Sequence, residues 1–457
     1  MIDHKLIAKY DKPLPRYTSY PPATSFHKGY GTEEFRGHVL ASNEQEPQGI
    51  SLYLHIPFCP RLCLYCGCNT LITRQDELIE RYLQALKKEI RMVAGWIDLS
   101  RPLTQIHWGG GTPNALSTEQ LGSIMALLNE TFHIQSSTEV AIECNPAHLD
   151  HDYLEALFQM GFNRISLGIQ DFNEEVLKTV HRDVSRLPIE ELTQAIKDRG
   201  VGVNYDFIYG LPGQTEASFG ATIERALELQ PDRLVTFSYA HVPWVKPHQS
   251  ALEKPGLPSA DEKLAMFTTA YRIMSESGQY DAIGLDHFSK HGDELSKALR
   301  AGQLHRNFQG YCTRETTGQV YAFGMSAISQ LYDSYAQNHK NIKQYMEAIE
   351  AGLPATEKGY HIAPDELLIK EVITELMCNN RLNWKELADR LQSSPNQLKQ
   401  STGYRPEKME AFVADGLLEL SDDELRITES GRFTIRNIVA ELDPKLNNGQ
   451  QRFSKSI

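Results

Sequence analysis

Between residues 51 and 240, short apolar runs alternate with longer stretches in which apolar residues recur every three or four positions. The first pattern predicts buried strands and the second amphipathic helices. Strands are expected at Ser51–Ile56, Thr104–Trp108, Thr138–Glu143, Arg164–Gln170, Val203–Tyr209 and Arg233–Tyr239, and Leu78, Tyr82, Leu86 and Ile90 form one intervening helical stripe. Short connections, Met160-Gly-Phe-Asn, Arg199-Gly-Val-Gly and Gln230-Pro-Asp, join helices to the strands that follow. Six such units predict an α/β fold, a partial (β/α)6 barrel over residues 49–245. In parallel β/α architectures, ligands collect at the carboxyl ends of the strands.

Outside this region the pattern changes. The Pro-, Ser-, Lys- and Glu-rich stretch Pro243–Pro258 predicts a surface excursion or linker, and residues 246–360 are expected to extend the barrel and connect it to later helices. Helical stretches around 365–379, 383–392 and 405–415 precede Leu417-Leu-Glu-Leu-Ser-Asp-Asp-Glu-Leu-Arg-Ile, which reads as a short hairpin. That order predicts a smaller, mostly helical, winged-helix-like C-terminal domain over 361–457. Its acidic wing favours a cover or packing role over DNA binding. Residues 1–48 form an N-terminal extension, expected to cover the active site and substrate.

At 457 residues the chain exceeds what one core usually serves, and 41% hydrophobic with 23% charged residues is ordinary for a soluble globular protein. No apolar run approaches the ~18 residues of a membrane span, and the first residues lack the basic-then-apolar order of an export signal, so a cytoplasmic protein is expected. A net charge of −13 without a Lys/Arg block argues against nucleic acid. An acidic substrate would need a local basic pocket.

Four of the seven cysteines crowd into residues 59–68, which is unlike a secreted disulfide framework. The segment His55-Ile-Pro-Phe-Cys59-Pro-Arg-Leu-Cys63-Leu-Tyr-Cys66-Gly-Cys68 contains C-x3-C-x2-C directly after a strand. Such spacing lets one loop wrap three corners of a 4Fe–4S cube, leaving the fourth iron free to chelate the amino and carboxylate groups of S-adenosylmethionine (SAM). One electron from the cluster could then cleave the sulfonium and generate a 5′-deoxyadenosyl radical. A zinc site using all four cysteines is the alternative, although Cys66 and Cys68 are poorly spaced for separate vertices. A four-cysteine electron-transfer cluster is another. Cys68 is assigned outside the iron ligands.

One β/α unit later comes His107-Trp-Gly109-Gly110-Gly111-Thr112-Pro113, whose glycines let the backbone approach a ligand such as the methionine end of SAM. Alone this loop is a weak signal; following the cysteine loop at a strand end, it is a specific one. Glu143 and Gln170 end later strands and could bind ribose hydroxyls or an ammonium. Asp206 is a carboxylate within an apolar strand, costly unless paired, and Arg182 is its expected partner.

With these motifs in place, the chain resembles the oxygen-independent coproporphyrinogen III oxidase family of radical SAM enzymes over nearly its full length. Further shared segments are Pro15-Arg-Tyr-Thr-Ser-Tyr-Pro21, His305-Arg-Asn-Phe-Gln-Gly310, Ser326-Ala-Ile-Ser329 and Tyr335-Ala-Gln-Asn338. The resemblance implies conversion of two propionate side chains of coproporphyrinogen III to vinyl groups, giving protoporphyrinogen IX in haem biosynthesis. It implies Cys59, Cys63 and Cys66 as cluster ligands and two SAM molecules. Tyr53, Gly110, Glu143 and Ile328 would surround the SAM that is cleaved, while Tyr65, Gly111, Thr112, Gln170, Arg182, Asp206 and Ala240 match further SAM-contacting positions. The family often carries Phe where this chain has Tyr65. Gln309 is an active-site candidate by the same resemblance, and Arg16, His305 and Arg306 are candidate propionate contacts. A monomer is expected, served by an electron donor such as flavodoxin or ferredoxin and by an unidentified electron acceptor. Haem-trafficking relatives, which generally lack the Arg-Tyr-Thr-Ser-Tyr-Pro stretch and the counterpart of Cys68, and haem-opening methyltransferases are the competing readings.

Overall fold

The computed structural model of the chain describes residue 6 and residues 9–446. Its centre is a twelve-stranded sheet whose strands, in chain order, are β1 (Ile50–Ile56), β2 (Leu103–Gly110), β3 (Glu139–Cys144), β4 (Arg164–Gln170), β5 (Gly202–Tyr209), β6 (Arg233–Ser238), β7 (Tyr280–Ile283), β8 (His287–Lys290), β9 (Gln319–Phe323), β10 (Ile328–Gln330), β11 (Ser334–Asn338) and β12 (Thr356–His361). The six strands expected from the sequence are β1–β6, adjacent and parallel in chain order. A seventh parallel strand, β9, flanks β1 from far along the chain. The spatial order is β12-β11-β10-β9-β1-β2-β3-β4-β5-β6-β8-β7, with antiparallel pairing outside the parallel core.

Strand alternation sorts the side chains into two layers. Ile106 and Trp108, Val140 and Ile142, Ile165 and Leu167, and Val203, Tyr205 and Phe207 are buried in the main core. Their alternates, Gln105 and His107, Glu139 and Glu143, Ser166, Asn204 and Asp206, face a cavity on the other side of the sheet. The intervening helices pack against the apolar layer. In Asp76–Ala94 the buried stripe is Ile79, Tyr82, Leu83, Leu86, Ile90 and Val93. The helix Thr118–Thr131 starts where Ser117 accepts from the Gln120 N–H while Gln120 bonds back, a reciprocal cap that satisfies two otherwise orphaned donors.

The C-terminal segment has its own core around Trp384, Leu387, Leu398, Met409 and Leu425. Helices Pro364–Asn379, Trp384–Arg390 and Pro406–Ala414 and the strand pair Leu418–Leu420/Glu424–Ile427 match the pattern read from the sequence. A third strand, Arg381–Asn383, and a helix, Pro395–Ser401, add to it. The N-terminal extension joins this core: Tyr10, Tyr17 and Tyr20 are buried in it, and the Tyr17 and Tyr20 hydroxyls donate to Asp443 at 3.1 and 3.0 Å. No helix among the described residues is long and apolar enough to cross a membrane.

Candidate active site

At the carboxyl ends of the parallel strands lies a cavity of about 610 Å³. Cys59, Cys63, Cys66, Tyr65, Gly110, Gly111, Thr112, Glu143, Gln170, Arg182, Asp206, Ala240 and Gln309 all line it. Sites separated by up to 250 positions thus converge, most of them at or just beyond the same rim of the sheet.

The cysteine loop and the glycine loop are joined through their backbones. Gly111 N–H donates to the Ile56 carbonyl (2.8 Å) and Thr112 N–H to that of Phe58 (3.0 Å), immediately ahead of Cys59. The Thr112 hydroxyl lies 3.3 Å from Cys59 Sγ. A Cβ on Gly111 would stand 2.7 Å from the Pro57 carbonyl oxygen, so only glycine permits this approach. Gly110 adopts φ +115°, a left-handed conformation, and a Cβ there would meet the His55 ring at 2.8 Å.

The far side of the cysteine loop is fastened by residues 246–249. Lys246 Nζ donates to the Cys68 carbonyl (2.7 Å), His248 Nε2 lies 2.9 Å from the Cys66 carbonyl, and Gln249 Nε2 donates to the Tyr65 carbonyl (3.0 Å). The stretch expected to be a surface excursion or linker forms a backstop, with a 3-10 helix at Pro247–Glu253. Its Lys-Pro-His-Gln run, polar side chains within a turn-forming segment, was the only sequence trace of this role.

Among the described residues, no three of the loop's sulfurs lie mutually within 4.8 Å. A tetrahedral zinc with ligands at about 2.3 Å needs sulfurs about 3.8 Å apart, closer than any three of them stand together here. Three soft thiol donors on one loop, at the mouth of a cavity able to take an organic ligand, fit a 4Fe–4S cluster with SAM.

The expected Asp206–Arg182 pair does not form. Asp206 instead accepts from the Ser166 hydroxyl (2.9 Å), while Arg182 donates to the Gly168 carbonyl (2.5 Å) and points Nη1 at Cys63 Sγ (3.9 Å). Asp206 lies mid-strand on β5, too deep for a guanidinium already held at the rim. Burial, reinforced by the charge of Glu143, pushes the Asp206 pKa up to about 6, with the Ser166 bond and His287 and His107 opposing. His107 Nε2 is 3.0 Å from Glu143 Oε1. Burial disfavours a charged His107, but that carboxylate outweighs it and raises its pKa. Gln170 has φ +70° at a register shift on β4, a strained backbone of the kind that collects at ligand sites.

Two expected SAM neighbours are not on the cavity wall. Tyr53 stands one layer behind, its hydroxyl 3.1 Å from His55 Nδ1 and its ring stacked on His107. Ile328, on β10, packs with Phe26, Tyr335 and Ile362. Of the candidate propionate contacts, Arg16 lines the cavity, whereas His305 and Arg306 line a small separate niche with Tyr20 and Lys370. Burial, then the neighbouring Arg314, drives the His305 pKa down to about 3, so it carries no charge for a carboxylate at neutral pH. Arg306 lies over the Tyr311 ring (4.7 Å) instead. The 304–313 hairpin reaches the cavity through Asn307, Gln309, Gly310, Tyr311 and Cys312.

Residues 53–226 match the Radical SAM superfamily and residues 362–434 the HemN C-terminal domain. The chain is 41% identical to the oxygen-independent coproporphyrinogen III oxidase of Synechocystis, covering 99% of this chain and 97% of the relative. The Escherichia coli protein of the same description is 39% identical, over 100% and 98%. The chain belongs to the oxygen-independent coproporphyrinogen III oxidase family. A solved structure of the family, described as coproporphyrinogen III oxidase (HemN) from Escherichia coli, a radical SAM enzyme, superposes with a TM-score of 0.89 at 38% identity and covers 97% of this chain and all of its own. The α/β sheet and cysteine-bearing rim described above are therefore those of the family, whose radical SAM chemistry uses a 4Fe–4S cluster and SAM.

Proposed function

We propose that this chain carries out the oxidative decarboxylation of two propionate side chains of coproporphyrinogen III to vinyl groups, giving protoporphyrinogen IX in anaerobic haem (porphyrin) biosynthesis. The observation that carries this reading is the full-length similarity to named relatives, joined to a cysteine triplet and a glycine loop that open on one cavity.

Cys59, Cys63 and Cys66 would hold the cluster and leave one iron for SAM. When bound, cluster and SAM together supply an organic radical able to take an unactivated hydrogen. The residues then have to bind, orient and exclude water. The backbone of Gly110, the Glu143 carboxylate and, nearby, Tyr53 and Ile328 are the proposed surroundings of the cleaved SAM. Tyr65, Gly111, Thr112, Gln170, Arg182, Asp206 and Ala240 are proposed further SAM contacts, shared between two SAM molecules. Each propionate becomes a vinyl group by losing one hydrogen atom, one carbon dioxide and one electron, so no side chain must move a proton. This accords with a wall in which His107 is tied to Glu143 and Asp206 to Ser166.

Arg16 is the proposed propionate contact, with Gln309 across the cavity and the N-terminal extension as cover. A flavodoxin or ferredoxin donor, a separate electron acceptor, a monomeric state and a cytoplasmic location complete the proposal. The Arg16-Tyr-Thr-Ser-Tyr-Pro21 stretch and Cys68 are both present, which favours catalysis over haem trafficking. The test is anaerobic reconstitution with reductant, SAM, coproporphyrinogen III and cell extract as acceptor source, followed by mass spectrometry of the tetrapyrroles. Successive loss of two carboxyl groups is expected. Formation of 5′-deoxyadenosine with an intact tetrapyrrole would mean a different substrate, a methylated linear tetrapyrrole would indicate methyl transfer, and intact SAM with tight haem binding would indicate trafficking.

A further inference from the structure

On the opposite edge of the sheet from β7, three side chains from three separate segments converge. His38 lies on the N-terminal helix Thr32–Ala41, Asp333 precedes β11, and His361 ends β12. One ligand atom from each can be chosen so that all lie within 4.8 Å of one another. His38 Nδ1 is 3.0 Å from Asp333 Oδ1, and the two imidazole rings are 4.9 Å apart at 33°.

Two imidazoles and a carboxylate are borderline donors that suit Zn²⁺ and its neighbours in the first transition row rather than Ca²⁺ or Mg²⁺. Tetrahedral ligands at about 2.05 Å stand about 3.3 Å apart, so the His38–Asp333 edge is already near that length and His361 has to close by at most about 1.5 Å. The outer contacts also fit. Gln45 Nε2 donates to Asp333 Oδ2 (3.3 Å), and the Tyr30 ring stacks on His38 at 5.6 Å, so both ligands are oriented from behind. One negative and two neutral donors leave a divalent site with a single net positive charge.

We propose that His38, Asp333 and His361 bind one Zn²⁺-class divalent ion that clips the N-terminal extension to the edge strand of the sheet. The ion would be structural. It would fix the helix that follows the Arg16 segment, far from the cluster cavity, and it would leave SAM cleavage to the site described above.

The test uses tag-free, full-length protein with its iron–sulfur cluster already reconstituted, so that Cys59, Cys63 and Cys66 cannot compete. Zn²⁺ is titrated anaerobically against a chromophoric chelator. One Zn²⁺ per chain is expected, with a melting temperature that rises with the zinc concentration. Gln45→Leu should weaken binding about tenfold and His361→Ala by more than about 100-fold, since removing an outer partner alone costs about 10–100-fold. His361 is exposed at a strand end, so His361→Ala should melt like the parent when zinc is absent. Equal zinc affinity in the parent and His361→Ala would overturn the proposal, as would no zinc binding by the parent at about 100 μM, a Kd worth only roughly 5 kcal/mol.

Discussion

Replacing Asp206 by Asn should make the protein more stable while disabling it. Asp206 is part-buried on β5, where it lines the cavity, and burial pushes its pKa up to about 6 from the ordinary 3.8. Between those values the folded chain keeps a proton that the unfolded chain has released. Stability therefore falls as pH rises from about 4 to about 6 and stays low above that. At pH 7.5 the ionised carboxylate costs roughly 3 kcal/mol. Asn keeps an oxygen to accept from the Ser166 hydroxyl and carries no charge. The variant should therefore gain up to roughly 3 kcal/mol at pH 7.5 and about half of that at pH 5. Urea unfolding followed by circular dichroism at the two pH values, with midpoints compared at a common slope, measures it. SAM cleavage by the same variant should drop sharply. A variant less stable than its parent at pH 7.5, or a gain that does not shrink at pH 5, would refute the argument that burial of this charge is a cost accepted for ligand binding.

Serine at any one of Cys59, Cys63 or Cys66 should abolish cluster retention, read as iron and sulfide per chain after reconstitution, whereas Cys68→Ser should retain it. Gly111→Ala forces a Cβ to 2.7 Å from a backbone oxygen that cannot swing away, so a loss of about 1–3 kcal/mol in thermal unfolding, with poorer cluster retention, is expected. Arg16→Ala should raise the KM for coproporphyrinogen III about tenfold, the worth of one charge-assisted hydrogen bond, and leave the SAM-binding affinity unchanged in the absence of that substrate.

The parallel core was legible because its strands are short apolar runs closed by turn residues. Arg164–Gln170 has the bounds expected, and the other five differ by one or two residues at their ends. The cysteine triplet and Gly110–Thr112, which line one cavity, were legible because chemistry fixes their spacing. What escaped was long-range. Gln319–Phe323 is an ordinary apolar run whose place beside β1 depends on tertiary packing. The grip of Lys246, His248 and Gln249 on the cysteine loop joins residues about 180 positions apart, and a Pro-rich composition alone could not reveal it. Asp206 was rightly read as a costly carboxylate, but its partner was misassigned, because a one-dimensional reading cannot say how deep in a strand a side chain lies. His305 failed for the same reason: a family-like segment does not tell which of its side chains face the cavity.

The position of β9 beside β1 has a bearing on how the protein is made. Strand β1 leads straight into the cysteine loop, yet one of its two edges stays uncovered until residues 319–323 exist. At roughly 5–20 residues per second, the ribosome needs on the order of 15–50 s to make the intervening segment. During that interval an apolar strand edge is exposed, and until residues 246–249 are made the cysteine loop is unsupported as well, the first inviting mispairing and the second premature oxidation or capture of the wrong metal. Residues 246–249 arrive within the same interval, so the loop gains its backstop before the sheet gains its edge. Cluster loading is therefore best timed after release of the chain, and production outpacing iron supply should fill inclusion bodies with chains that failed at this strand edge.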